Sequence, residues 1–279
     1  MKTINIDEWI ESGGGARGTS YFHKDNPDFM LKFDNINSDS GSMIKELQNA
    51  SVAYSLGVNT PEPGEIVTDG KRYGITFKRI HGKISYARAI ADNPGRMEEL
   101  SAEFAHQARI LHSLKADTSR MRSIKDIYRE AISANRMHEP GLTDRALKLL
   151  DSMPEKRTCV HGDLHTGNII MAGKESFFID MGDFSYGDPL MDISMIRATC
   201  QLASAVPDFF KSIFHFDPGI AERHWNIFVR EYFGPHADID RLNETIKPYV
   251  ALRKLVMEAQ AGIPITGEGL RDVYEVLGH

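Results

Sequence analysis

The sequence predicts an α+β protein of two lobes, a small antiparallel-sheet lobe with one helix followed by a larger, mainly helical lobe. Three observations carry this. Residues 1–80 alternate short β-type runs with turn signals around one helical stretch. Residues 81–279 carry apolar side chains mostly at three- and four-residue spacing. At 279 residues the chain also exceeds the usual single-domain size.

Taken in order, Trp9–Ser12, Ser20–Lys24 and Phe29–Phe33 read as short strands. The glycine-rich stretch Gly13–Gly18 and the turn Asp25-Asn26-Pro27-Asp28 part them. A helix is predicted over about 42–56, stopped by Gly57 with Pro61 and Pro63 beyond. Strands at 64–68 and 73–80 follow, joined through Asp69-Gly70-Lys71, a hairpin signal. The lobe boundary falls near Ile80–Gly82, so the expected division is 1–80 and 81–279.

In the second lobe, Asn93 and Pro94 open a helix whose apolar face is Met97, Leu100, Phe104, Ala108, Leu111 and Leu114. Shorter helices are expected near 123–134 and 143–151. Strands are expected within 157–163, 168–172 and 176–180, the last two turning through Gly173-Lys174. Beyond Leu190 the chain reads as helical, with loops near Pro207, Pro218 and Pro264.

Composition narrows the function. Basic and acidic residues run 9 to 11 over 1–80, 15 to 17 over 81–194 and 9 to 11 over 195–279. With no basic block, a nucleic-acid partner is disfavoured. No apolar run approaches the roughly 20 residues of a membrane span. The acidic N-terminus does not read as a secretory signal. Cys159 and Cys200 are too few for a disulfide framework, so a cytoplasmic chain without a membrane partner is expected. Composition leaves the oligomeric state open.

The strongest motif is His161-Gly162-Asp163-Leu164-His165-Thr166-Gly167-Asn168, with Asp180-Met181-Gly182 following at twelve residues from Asn168. Phosphoryl transfer needs a carboxylate beside the attacking hydroxyl and oxygen ligands for Mg²⁺. Asp163 and Asn168 supply one of each kind. A hairpin of 168–171 against 177–180 would return Asp180 beside Asn168. Two rival readings start from the same residues: a metallohydrolase using His161, Asp163 and His165, and a catalytically idle nucleotide-binding module.

H-G-D-x-H-x-G-N followed by I-D-x-G resembles the catalytic core of the aminoglycoside phosphotransferase and choline kinase family, relatives of the protein kinases. The resemblance implies a protein-kinase-like fold with the nucleotide between the lobes. It implies Asp163 as catalytic base, with Asn168 and Asp180 holding Mg²⁺. The reaction implied is transfer of the γ-phosphoryl group of ATP or GTP to a hydroxyl of a small substrate such as an aminoglycoside, amino alcohol or sugar. Asp192, ending Gly187–Asp192, matches the aspartate that braces the family's catalytic loop.

Gly13, Gly15 and Gly18 satisfy G-x-G-x-x-G, but strand rather than helix follows, which suits a loop folded over phosphates. By the resemblance these glycines and Ser20 meet the nucleotide. Lys32, in an apolar strand, would hold the α- and β-phosphates and pair with Glu46 on the helix; Asp39, preceding that helix, fits less well. Backbone groups near Lys78–Ile80 would meet the base. His112, in the helix before the catalytic loop, reads as a packing residue that helps position that loop. A cationic acceptor would want carboxylates or aromatics, for which Glu222, Trp225, Glu231, Tyr232 and Glu258 are candidates. A protein acceptor is less favoured, since no long activation segment or A-P-E motif is evident.

Overall fold

Alternating apolar and polar residues lay down six strands: β1 (Lys2–Thr3), β2 (Trp9–Gly14), β3 (Gly18–His23), β4 (Phe29–Asp34), β5 (Pro63–Thr68) and β6 (Tyr73–Lys78). In the computed structural model they form one sheet in the order β1-β5-β6-β4-β3-β2. All pairs are antiparallel except that the short β1, which the sequence did not signal, runs parallel to β5. Residues 1–14, 18–35, 40–136, 138–262, 265 and 267–278 are described.

Leu31 and Phe33 are fully buried, clustered with Tyr21 and Val67. Strand alternation therefore turns Lys32, between them, to the other face. β6 lies so close to β4 that a Cβ on Gly74 would meet the Lys32 carbonyl at 2.6 Å, which requires glycine there. The β5–β6 turn is held by Asp69, whose Oδ1 accepts from the backbone N–H of Lys71 and Arg72 at 2.9 and 2.7 Å. Among the described residues of this region the α-helix is α1 (Gly41–Ser55).

The described chain divides into two compact units, Met1–Ile84 with Asn168–Phe184, and Ser85–Gly167 with Ser185–His279. Against the expected division at 80/81, the first unit extends to Ile84 and takes in a later stretch, Asn168–Phe184. Strand β7 (Ile84–Ser85) lies at the junction.

The second unit holds α2 (Tyr86–Asp92), α3 (Met97–Ser113), α4 (Ile124–Ala134), α5 (Pro140–Ser152) and β8 (Thr158–Val160). The chain then returns to the first unit for the hairpin β9 (Ile169–Ala172) and β10 (Glu175–Phe178). Back in the second unit, β11 (Ser185–Gly187) pairs antiparallel with β8 and precedes α6 (Leu190–Ala205), α7 (Pro207–Phe214), α8 (Ala221–Phe233), α9 (Ile239–Ala261) and α10 (Gly267–Leu277).

Apolar spacing on α3 gives the buried face expected of it, with Phe104 packed against Phe228 of α8 at 5.6 Å between ring centroids. The helix breaks at Val206, beside Pro207 as expected, but only for that residue, because Pro207 at once opens α7, where a first-turn proline forfeits no intrahelical hydrogen bond. Pro218 opens a short 3-10 turn, and Pro264 lies outside the described residues. Among the described residues no helix is long and apolar enough to cross a membrane.

Candidate active site

In the first unit, strand register aligns three of the candidate residues. Gly13 stands opposite Ser20, Ser20 opposite Lys32, and Lys32 opposite Ile75, one row across four strands. Gly18 lies two pairs along, opposite Asp34, where a Cβ would come 3.0 Å from the Phe33 carbonyl and 3.3 Å from Lys32 Cε. Gly15 lies outside the described residues, as does Asp39.

From this row Lys32 reaches α1. Its Nζ donates to Glu46 Oε1 and Oε2 at 2.7 and 2.9 Å, and to Asp180 Oδ1 at 3.0 Å. All three ammonium donors are thus engaged. Burial alone would lower the Lys32 ammonium, but the Asp180 and Glu46 carboxylates outweigh it and raise it well above the ordinary lysine value. Burial pushes the Glu46 carboxyl up, Lys32 pulls it down and Asp180 adds to the push. An ammonium seated on both its oxygens keeps Glu46 ionised.

The β9–β10 hairpin brings Asn168 and Asp180 to one end. Phe178 pairs with Ile169, and the Ile179 N–H donates to the Asn168 carbonyl at 3.0 Å. Asn168 is buried, whereas the Asp180 side chain is 44 % exposed. Asp180 takes a left-handed backbone, φ 60°, uncommon outside glycine and characteristic of functional turns. Two residues of α1 tie this turn down: Asn49 donates to the Gly182 carbonyl at 2.7 Å, and Lys45 pairs with Asp183 at 3.2 Å. Sequence reading missed both, since each looks like an ordinary polar helix position.

At the end of β6 the Lys78 N–H donates to the Glu62 carbonyl at 2.9 Å, and the Arg79 N–H to the Asp28 carbonyl at 2.7 Å. The Lys78 amide is therefore taken within the protein. Lys78 and Ile80 lie beyond the Gly13–Ser20–Lys32 row, with Lys78 opposite Phe29.

In the second unit, β8 delivers the chain into the loop carrying Asp163. Gly162 has φ +84°, a conformation glycine adopts without strain. Asp192 of α6, fully buried, accepts from the N–H of His161 at 2.7 Å and of Gly162 at 2.8 Å. Burial would raise the Asp192 carboxyl, but its hydrogen bond and attraction to His112, with the His161 N–H, outweigh that and lower it. His112 Nε2 lies 3.0 Å from Asp192 and its Nδ1 2.7 Å from the Tyr232 hydroxyl, so this histidine does support the loop. Asp163 itself has a 31 % exposed side chain. Its Oδ1 accepts from Arg253 of α9 at 2.7 Å, a contact with no signal in the sequence.

The histidines of the motif do not converge as ligands. His161 is fully buried and its Nδ1 accepts from the Asp163 N–H at 3.3 Å; His165 Nδ1 accepts from the Gly167 N–H at 3.0 Å. Among the described residues no group of three or more His, Cys, Asp and Glu could hold a metal. Most of the candidate cation site is likewise engaged elsewhere. Trp225 is core, Glu222 pairs with Arg197 at 2.6 Å, and Tyr232 meets His112. Glu258 is buried against His138 at 2.6 Å; Glu231 remains on the surface.

The family model for the phosphotransferase enzyme family matches residues 8–220. No curated protein matches the sequence. Among solved structures, the amicoumacin kinase hAmiN in complex with AMP-PNP, Ca²⁺ and Ami is similar over 99% of this chain and 88% of its own, at TM-score 0.60 and 15% identity. Aminoglycoside phosphotransferase APH(3'')-Id from Streptomyces rimosus, bound to ADP and streptomycin, is similar over 90% and 94%, at TM-score 0.60 and 18% identity. Choline kinase LicA from Streptococcus pneumoniae is similar over 96% and 92%, at TM-score 0.57 and 12% identity. These likenesses show the two-lobed kinase-like α+β fold.

Proposed function

The chain belongs to the phosphotransferase enzyme family, and from that premise we propose that it is a small-molecule kinase, transferring the γ-phosphoryl group of Mg-ATP or Mg-GTP to a substrate hydroxyl. The observation that carries this reading is Lys32, half-buried and bonded to both oxygens of Glu46 and also to Asp180. A cation held this way is preorganised to receive phosphate oxygens.

Each residue then has a task. Lys32 gives a donor to the nucleotide phosphates. The partner it exchanges is Asp180, which is exposed enough to turn, whereas Glu46 is buried and stays. Gly13, Gly18 and Ser20 line the strands beside it, with Gly15 completing the loop pattern, and backbone near Lys78–Ile80 meets the base. Since the Lys78 N–H is already taken, that recognition falls to its carbonyl and to Ile80.

Asn168 and Asp180 supply an amide oxygen and a carboxylate at one hairpin end, a hard donor set that fits Mg²⁺. When bound, Mg²⁺ neutralises charge on the phosphates. Asp163 orients the acceptor hydroxyl and takes its proton. The acceptor is a small alcohol of the aminoglycoside, amino alcohol or sugar kind, and the nucleotide requirement suits a cytoplasmic enzyme.

The test is an acceptor screen of small alcohols with Mg-ATP and Mg-GTP, read by nucleoside diphosphate release. Acceptor-dependent release with a phosphorylated product is expected. Hydrolysis needing zinc and no nucleotide would sink the proposal.

A further inference from the structure

Asp163 sits on a loop, and its carboxylate can turn about two side-chain bonds. A base for an acceptor hydroxyl must instead hold its oxygens at a fixed place. What holds Asp163 comes from 90 residues away in the chain. Near the middle of α9, Arg253 runs into the interior of the second unit, where its side chain is 2 % exposed. Nη2 donates to Asp163 Oδ1 at 2.7 Å, and Nη1 donates to the Gly162 carbonyl at 2.9 Å. One rigid guanidinium thus grips both the carboxylate and the backbone carbonyl that precedes it.

The grip is itself seated. Arg253 Nε donates to Met195 Sδ of α6 at 3.0 Å. Beyond it, His165 Nε2 stands 3.7 Å from Asp163 Oδ2, past hydrogen-bond length. Packing alone does not call for an arginine here, because burying a guanidinium is costly unless it is paired. The partners explain the residue: a loop carboxylate and the carbonyl of a left-handed glycine.

We infer that Arg253 is a positioning residue for phosphoryl transfer, locking the Asp163 side chain so that its carboxylate meets the acceptor hydroxyl in one orientation. This rests on Asp163 being the base. Arg253 touches no substrate in this account and acts only through Asp163.

Arg253→Met keeps the bulk and removes every donor. With Mg-ATP and water as the acceptor probe, read by inorganic phosphate release, kcat should fall about 10²-fold, as a small misplacement of a reacting group costs. KM for Mg-ATP should stay within about twofold, because the loss falls on the transition state. Arg253→Lys, keeping charge and a donor, should recover roughly tenfold of that loss, in line with one charged hydrogen bond. Added to Asp163→Asn, Arg253→Met should cost no further rate, since the two act as one unit. A crystal structure of Arg253→Met should show the Asp163 carboxylate turned from its place.

Equal losses from Arg253→Met with and without Asp163, or an unmoved carboxylate in that crystal structure, overturn the inference and leave the base assignment standing. Near-wild-type turnover of Asp163→Asn overturns the base assignment and the inference together. If Arg253→Met does not fold, Arg253→Lys decides. A lower kcat at unchanged KM and Tm supports positioning; full turnover overturns it.

Discussion

The two units hold their chemical groups by different means. In the first, strand register and one short hairpin do most of the placing: Gly13, Ser20 and Lys32 fall in a row, and Asn168 and Asp180 close one hairpin end. In the second, the paired strands β8 and β11 lead the chain only as far as the loop carrying Asp163. Side chains from helices far along the chain hold it, Asp192 from 31 residues away and Arg253 from 90. Groups fixed by register tolerate the loss of a neighbour. A loop hung on buried side chains does not.

The contrast can be broken by substitution. The largest effect is expected at the hairpin end, where Asp180→Ala should abolish transfer, a loss above about 10⁴-fold or ~5.4 kcal/mol. Asn168→Ala should act in the same direction, and titration of Mg-nucleotide should show weakened binding in both. Asp180→Ala should not lower Tm by much, because Asp180 is exposed and the hairpin register is backbone-made. In the second unit the order reverses. Asp192→Ala leaves two backbone N–H groups and His112 without their acceptor, and should cost roughly 3–5 kcal/mol of stability, read by chemical denaturation.

Next come the charges beneath the glycine row. Lys32→Ala should lower kcat by about 10²–10³-fold, as loss of one preorganised donor does. Glu46→Ala should cost less, because it only frees the lysine. The double mutant should resemble Lys32→Ala alone. Additive losses would mean that the pair does not act together.

The smallest effect sharpens the comparison through pH. His224 of α8 is buried, bonded through Nδ1 to Ser101 at 2.7 Å, and burial lowers it to about 4. A depressed histidine binds its proton more readily when unfolded. The fold therefore loses stability as pH falls from about 6.5 towards 4, by roughly 3 kcal/mol over that window, and loses none above it. His224→Gln should flatten this dependence in denaturation midpoints taken at neutral and acid pH. An unchanged slope would show that the proton goes elsewhere.

How much of this was legible follows the same division. Lys32 and Glu46 could be named because the family resemblance calls for a strand lysine paired with a helical glutamate, for which an apolar strand and a single helix leave few alternatives, and Asp180 because a short hairpin must return near Asn168. Asn49 and Lys45 could not, since polar residues on a helix look alike until one knows which face meets a turn. Arg253 was hidden for a stronger reason. Its helix carries a proline, Pro248, and mixed polarity, so no periodic signal marks position 253 as interior. Trp225, Tyr232 and Glu258 misled as cation ligands because composition cannot distinguish a lining residue from one buried in its own network.

The central claim is that nucleotide binding and proton removal belong to different residue sets, Lys32, Asn168 and Asp180 for the one and Asp163 for the other. Measuring Mg-ATP affinity and kcat together in Asp163→Asn tests it directly. Affinity should change little while kcat falls by ~10²–10⁴, about 2.7–5.4 kcal/mol of barrier. Near-wild-type turnover in the folded variant, or a loss of Mg-ATP affinity as large as the loss of rate, would contradict the account.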